Sequence, residues 1–171
     1  FFKQKTAYEI VDCDWSSDVC SSDLKTKGRP SKINMKLCKN ACRFYANKLL
    51  GDYLSSKINL TLEFEKFSPN DKYIAFCTWE FNNHYSRDFI ISVNQDLNKR
   101  SMLMALAHEM VHLKQYAKGE LKDYVKANKC KWLGEQYNSD ELDYWDHPWE
   151  IEAYGRERGL YVKFKEHMKG K

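Results

Sequence analysis

Two histidines four residues apart, with a glutamate directly after the first, stand at the centre of ALAHEMVHLKQYAKGEL, residues 105 to 121. Residues four apart share a helix face. The imidazoles of His108 and His112 can therefore point at one ion, at the roughly 2.0–2.1 Å typical of a histidine nitrogen on zinc. Glu109 is turned about 100° from His108, so its carboxylate can reach a water on that ion without binding the ion itself. These are the parts of metal-assisted hydrolysis. One Zn2+ would polarise a carbonyl and lower the pKa of its water toward about 7. Glu109 would take that water's proton and pass it to the leaving amine. A donor for the tetrahedral oxyanion should stand opposite, and Tyr154, Arg156 and His147 have suitable chemistry without any of them being singled out.

The helix that must carry this motif runs over residues 99 to 119, with Asn98 as its N-cap and Gly119 as its terminator. On a helical wheel, Leu103, Leu106, Met110, Leu113 and Ala117 form one apolar stripe. His108 and His112 lie roughly opposite with Gln115 beside them, and Met104 and Val111 separate them from a narrow strip of Arg100, Lys114 and Lys118 that can face water. The helix is thus apolar nearly all round, and two buried imidazoles need partners. A shared metal ion meets that need.

A catalytic zinc takes three protein ligands and keeps one open position. The segment DHPWEIEAYGRE, 146 to 157, offers His147, Glu150 and Glu152 as the third. Pro148 suits the first turn of a helix reaching to about Met168. Glu150, Ala153 and Glu157 share one face of it, and the small Ala153 lets it approach the first helix closely.

HExxH followed by a helical Glu-x-x-Ala resembles the gluzincin group of zinc metallopeptidases, and residues 105 to 157 resemble metallopeptidases encoded by tailed phages and some bacteria. The resemblance implies a zincin-like fold, peptide-bond hydrolysis, and Glu150 as third ligand beside His108 and His112. The gluzincin aspartate one residue after the alanine is replaced by Tyr154, which leaves open what orients the histidines. Completion by His147 would instead resemble the SprT-like, DNA-repair-associated proteases.

Upstream, Leu37, Ala41, Phe44, Tyr45, Leu49 and Tyr53 recur at helical spacing within residues 34 to 56. LTLEFEKF (60 to 67), KYIAFCTWEF (72 to 81) and DFIISVN (88 to 94) read as strands, the first two joined by a Ser68-Pro69-Asn70-Asp71 turn. Short connections suggest a small, mainly antiparallel sheet. Residues 120 to 147 read as irregular.

The first 24 residues lack either period, and their Asp14–Leu24 portion back-translates to a common short-read sequencing adapter. Residues 1–24 are therefore set aside as adapter-derived, and 25–171 taken as a single domain. Formal net charge is +4 over the whole chain. Removing Lys3, Lys5, Glu9, Asp12, Asp14, Asp18 and Asp23 raises it to +7. Basicity favours an anionic partner and says nothing of fold. Cys38, Cys42, Cys77 and Cys130 remain and read as reduced thiols. No apolar run approaches a membrane span and no signal peptide is visible, which suggests a cytoplasmic protein, in a host cytoplasm if phage-encoded, with no membrane partner.

The expectation is an α+β, zincin-like domain acting on a protein or peptide substrate: an N-terminal helix, a small sheet, the HExxH helix and a ligand-bearing last helix. Its rival is a basic nucleic-acid-binding module with a structural or inactive metal site. Two stretches suggest such contact. KTKGRPSK (25 to 32) resembles an AT-hook, although Lys27 stands where an arginine is usual. KANKCKWLGEQY (126 to 137) interleaves lysines with Trp132 and Tyr137 as single-strand binders do, but reads more readily as a hairpin packed beside the active helix.

Overall fold

The computed structural model describes residues 24–68, 70–71, 73–79, 85–124 and 129–170. Residues 1–23 of the adapter-like segment lie outside them, while Leu24 packs against the core. The architecture is α+β: β1 (Lys25–Lys27), α1 (Met35–Ser55), β2 (Asn59–Glu65), β3 (Ala75–Trp79), β4 (Asp88–Asn94), α2 (Lys99–Lys118), β5 (Leu121–Tyr124), β6 (Lys129–Trp132), β7 (Glu135–Asn138), a 3-10 turn (Tyr144–Asp146) and α3 (Pro148–Lys169). No helix among the described residues is long and apolar enough to cross a membrane.

The first sheet has the order β1-β2-β4-β3. Pairings β1–β2 and β2–β4 are parallel and only β3–β4 is antiparallel. The mainly antiparallel meander expected from the short connections is therefore wrong for this sheet. Two features escaped the sequence. The basic stretch at 25 to 27 is a strand, and β4 is inserted between β2 and β3 rather than added after them. The signal was present in DFIISVN, where Phe89, Ile91, Ser92 and Val93 are buried. Such a run suits a central strand better than an edge. The expected strand over 72 to 81 is shorter, and residues 72, 80 and 81 lie outside the described residues.

On β2 the alternation holds: Leu60, Leu62 and Phe64 are buried and turn inward with Phe89, Ile91 and Val93. α2 lies on β3 and β4, and both α1 and α3 pack on α2. Phe164 anchors α3 to α1, its ring centre 5.6 Å from Phe44 and 5.7 Å from Tyr45. Burying a phenylalanine of this kind stabilises by roughly 1.5–3 kcal/mol. The Tyr45 hydroxyl donates to the Leu103 carbonyl at 3.2 Å, tying α1 to α2. Cys38 and Cys42 are buried on α1 as small core residues. Tyr53, expected on the apolar stripe, is instead 80% exposed. Gly51, at φ 75 and ψ 170, breaks the helical path just before it, so residues beyond leave the stripe.

Two glycines matter. Gly28 follows β1 at φ +68, and an added Cβ would run into the Phe64 carbonyl oxygen. Lys27 pairs with Glu63 at 2.6 Å, and the Ser31 hydroxyl and Lys32 ammonium bond to Asp96 at 2.8 and 2.9 Å. The stretch from 25 to 32 thus begins as a sheet-edge strand, after which Gly28 and Arg29 are exposed and Pro30 is buried. Gly119 ends α2 in the left-handed region, as expected of it. The expected Asn98 N-cap accepts from the Ser101 N–H at 3.0 Å.

Residues 120 to 147 are more ordered than the irregular segment expected. β5, β6 and β7 form an antiparallel sheet, and Leu121, Cys130 and Trp149 make a small second core with Trp132 and Tyr137. Within 126 to 137 the expected hairpin is present as β6 and β7, residues 126–128 lying outside the described residues.

Candidate metal centre

The helix propensity and caps of α2 and α3 fix two rods, and Ala153 brings them together. It is fully buried at their contact, where a larger residue would hold them apart. Ala153→Leu should therefore cost about 1–3 kcal/mol by overpacking. By displacing α3 it should also weaken metal binding roughly 10–100-fold, as loss of ligand support does. Melting temperature and a metal titration on the same sample would check both.

One turn before Ala153, Glu150 projects between the two histidines. Its carboxylate oxygens lie 3.4 Å from His108 Nε2 and 3.4 Å from His112 Nε2, and the two Nε2 atoms are 3.1 Å apart. Of the described residues, His108, His112 and Glu150 are the group whose ligand atoms converge closely enough to hold a metal ion. Three donors at about 2.0–2.1 Å from one tetrahedral ion lie about 3.3 Å from each other, which matches.

The protonation pattern adds a chemical argument. His108 Nδ1 faces Glu157 Oε2 at 3.0 Å and His112 Nδ1 faces Gln115 Oε1 at 2.9 Å. A carboxylate can only accept. The Gln115 amide is oriented by its NH2, which donates to the Trp149 carbonyl at 2.9 Å and to Glu152 Oε2 at 3.1 Å. Both Nδ1 atoms must therefore carry the proton, leaving both neutral Nε2 atoms bare and facing each other across a carboxylate. Three lone pairs at this separation repel unless a cation lies among them. The donor set fits a metal ion.

Without a metal, a proton must serve. Burial by itself would lower the His108 pKa, yet hydrogen bonds to Glu150 and Glu157 outweigh it and raise it to about 9. His112 is likewise raised by Glu150 against its burial. Glu150 is itself buried, but the two imidazoles hold it well below the usual carboxylate range.

Glu109 lines the same cavity of about 240 Å³, whose apolar wall includes Leu121, Trp149 and Phe76. Burial pushes its carboxyl up, with the histidines and a hydrogen bond from the Cys77 backbone opposing. A carboxyl raised above its ordinary value is a stronger base toward a water's proton than a free one.

The other sequence candidates lie elsewhere. Glu152 meets the Lys114 ammonium at 2.7 Å and Arg156 Nε at 2.8 Å. His147 Nε2 faces the Ser139 carbonyl at 3.3 Å, and its ring stacks on Trp149. Arg156 is spent on Glu152. Tyr154 packs its ring edge-on against His108 with centres 4.5 Å apart. Lys114, expected on the solvated strip, is buried between Glu152 and Glu120 at 2.7 and 2.6 Å. Those two carboxylates arrive from α3 and from beyond the end of α2, which a wheel of α2 alone does not contain.

Three participants were not identified from sequence. Glu157 faces His108 Nδ1 from one helical turn beyond Tyr154, and its shared face with Glu150 was the available hint. Gln115 was placed beside the histidines without a task. The Tyr144 hydroxyl donates to Glu150 Oε2 at 2.7 Å from the 3-10 turn, and nothing in the local sequence marks it. Comparison with protein-family models, curated proteins and solved structures finds no match.

Proposed function

We propose that this protein is a zinc-dependent peptide hydrolase of zincin-like architecture, with His108, His112 and Glu150 as metal ligands and Glu109 as general base. The observation that carries the reading is the convergence of three potential ligand atoms beside a buried carboxyl in one open cavity. The resemblance of HEMVH and EIEA to the gluzincin pattern supports it. Two histidines and one carboxylate leave a position free, the mark of a catalytic rather than a structural zinc.

When bound, zinc supplies Lewis acidity to the scissile carbonyl and to water. The chain's own residues do the rest. Glu157 and Gln115 hold the imidazoles in the tautomer that presents Nε2. Tyr144 fixes one oxygen of Glu150. Glu109 receives the proton of the attacking water and returns it to the amine that leaves. Tyr144 lies on Glu150 and Tyr154 on the His108 ring, and either hydroxyl has the chemistry to stabilise a developing oxyanion.

The test is elemental analysis of the purified chain after dialysis, paired with cleavage of unfolded casein. About one zinc per chain is expected, with hydrolysis abolished by a chelator and restored by added Zn2+. A chain that folds with zinc supplied and still retains none would overturn the reading.

A further inference from the structure

The second sheet has two unlike faces. Leu121, Cys130, Trp132 and Tyr137 form its inner side over the small core. On the outer side Lys122 stands directly opposite Lys131, and Lys129 lies two residues further along the same face of β6. Their neighbours across β7 are the neutral Gln136 and Asn138. Like charges directly opposed in a sheet are destabilising. Among the described residues none of the three lysines has a salt-bridge partner. Glu141, at the border of this face, is taken up by the Asn138 amide at 2.8 Å.

Further cations lie where α2 leads into β5. Lys118 is exposed in the last turn of α2. The Lys122 ammonium lies 5.5 Å from the centre of the Tyr85 ring, and the Arg87 guanidinium lies 5.8 Å from the same ring. Tyr85 is 50% exposed, and an added Cβ on Gly119 would meet its ring at 2.7 Å, so the ring sits where only a glycine leaves room. Arg87 is held in place by the Ser86 and Ala117 carbonyls, both at 2.8 Å.

We infer that this face, Lys118, Lys122, Lys129 and Lys131 together with Tyr85 and Arg87, binds single-stranded nucleic acid. An unneutralised row of lysines tracks phosphates, and a half-exposed aromatic ring beside two cations contacts a base; that combination marks single-strand binding surfaces. An acidic peptide would use the lysines but has no use for the ring. Leu121 of the inner face lines the cavity of the candidate ligands and none of these six residues does, so the inference stands whether or not the chain hydrolyses peptides.

Fluorescence anisotropy of a labelled oligothymidylate against the full chain tests it. Binding is expected at low salt. In the variant Lys122→Gln/Lys129→Gln/Lys131→Gln it should weaken at least tenfold, with the slope of log K against log salt falling by about 2, from about 0.7 per lost phosphate contact. Tyr85→Ala should weaken it about fivefold or more. Lys36→Gln/Lys48→Gln/Lys163→Gln removes the same charge from exposed positions on other elements and should have little effect. Equal loss in that control, no effect of Tyr85→Ala, or no binding by the unmodified chain would overturn the inference. So would binding of polyglutamate in place of the oligonucleotide, which would make the partner an acidic protein.

Discussion

Replacing Glu109 by glutamine should reduce peptide hydrolysis by about 10²–10⁴-fold, the usual contribution of a positioned general acid–base group, while the protein keeps its zinc. The carboxyl is 6% exposed and lies inside the cavity that holds the candidate ligands. It is not one of the three converging donors, so its neutral isostere leaves them untouched. Stability should hold or improve. Burial already disfavours the charged form of Glu109, and glutamine removes that cost in exchange for function. Turnover, zinc content and melting temperature measured on one preparation separate the possibilities. Turnover lost with zinc retained is the expected pattern. Cleavage surviving in Glu109→Gln would remove this residue from the chemistry and with it the proposed mechanism.

The second large effect concerns the third ligand, where sequence offered Glu150, Glu152 and His147. Glu150→Ala should lower zinc affinity by more than about 100-fold, beyond the 10–100-fold typical of a residue that only orients a ligand. Glu157→Ala belongs to that milder class, since it frees the Nδ1 proton of His108 to choose another tautomer. Glu152→Ala should leave zinc affinity nearly unchanged and act on stability. It removes one of two carboxylates from Lys114, which is 6% exposed, and a buried charge left short of partners is costly. Competition with a chromophoric zinc chelator would rank the three variants. A larger loss for Glu152→Ala than for Glu150→Ala would assign the ligand differently.

The contrast between Glu150 and Glu152 also shows how far sequence reaches. Both are glutamates in the first turns of one helix, two residues apart and so about 200° apart around it. Periodicity places them on different faces but does not say which face meets α2. Only the packing of fully buried Ala153 on that helix decides it. Lys114 teaches the same lesson in reverse. Its sequence neighbours gave it to solvent, and two distant carboxylates brought it inside.

What the sequence determined by itself is everything governed by short-range geometry. The HEMVH spacing puts two imidazoles on one face, Asn98 and Gly119 bound their helix, Pro148 starts the last one, and alternation in LTLEFE turns Leu60, Leu62 and Phe64 inward. What only the tertiary structure decided is everything set by contacts across long separations. Strand β4 lies between β2 and β3 and makes the sheet mixed. Glu157 reaches His108 across 49 positions, and Tyr144 reaches Glu150 from the turn before α3. The dihedral preferences and periodicities of an element act over a few residues and can be read along the chain. The choice of partner for a strand or a buried charge depends on which surfaces close the core together, and many pairings satisfy the same local pattern.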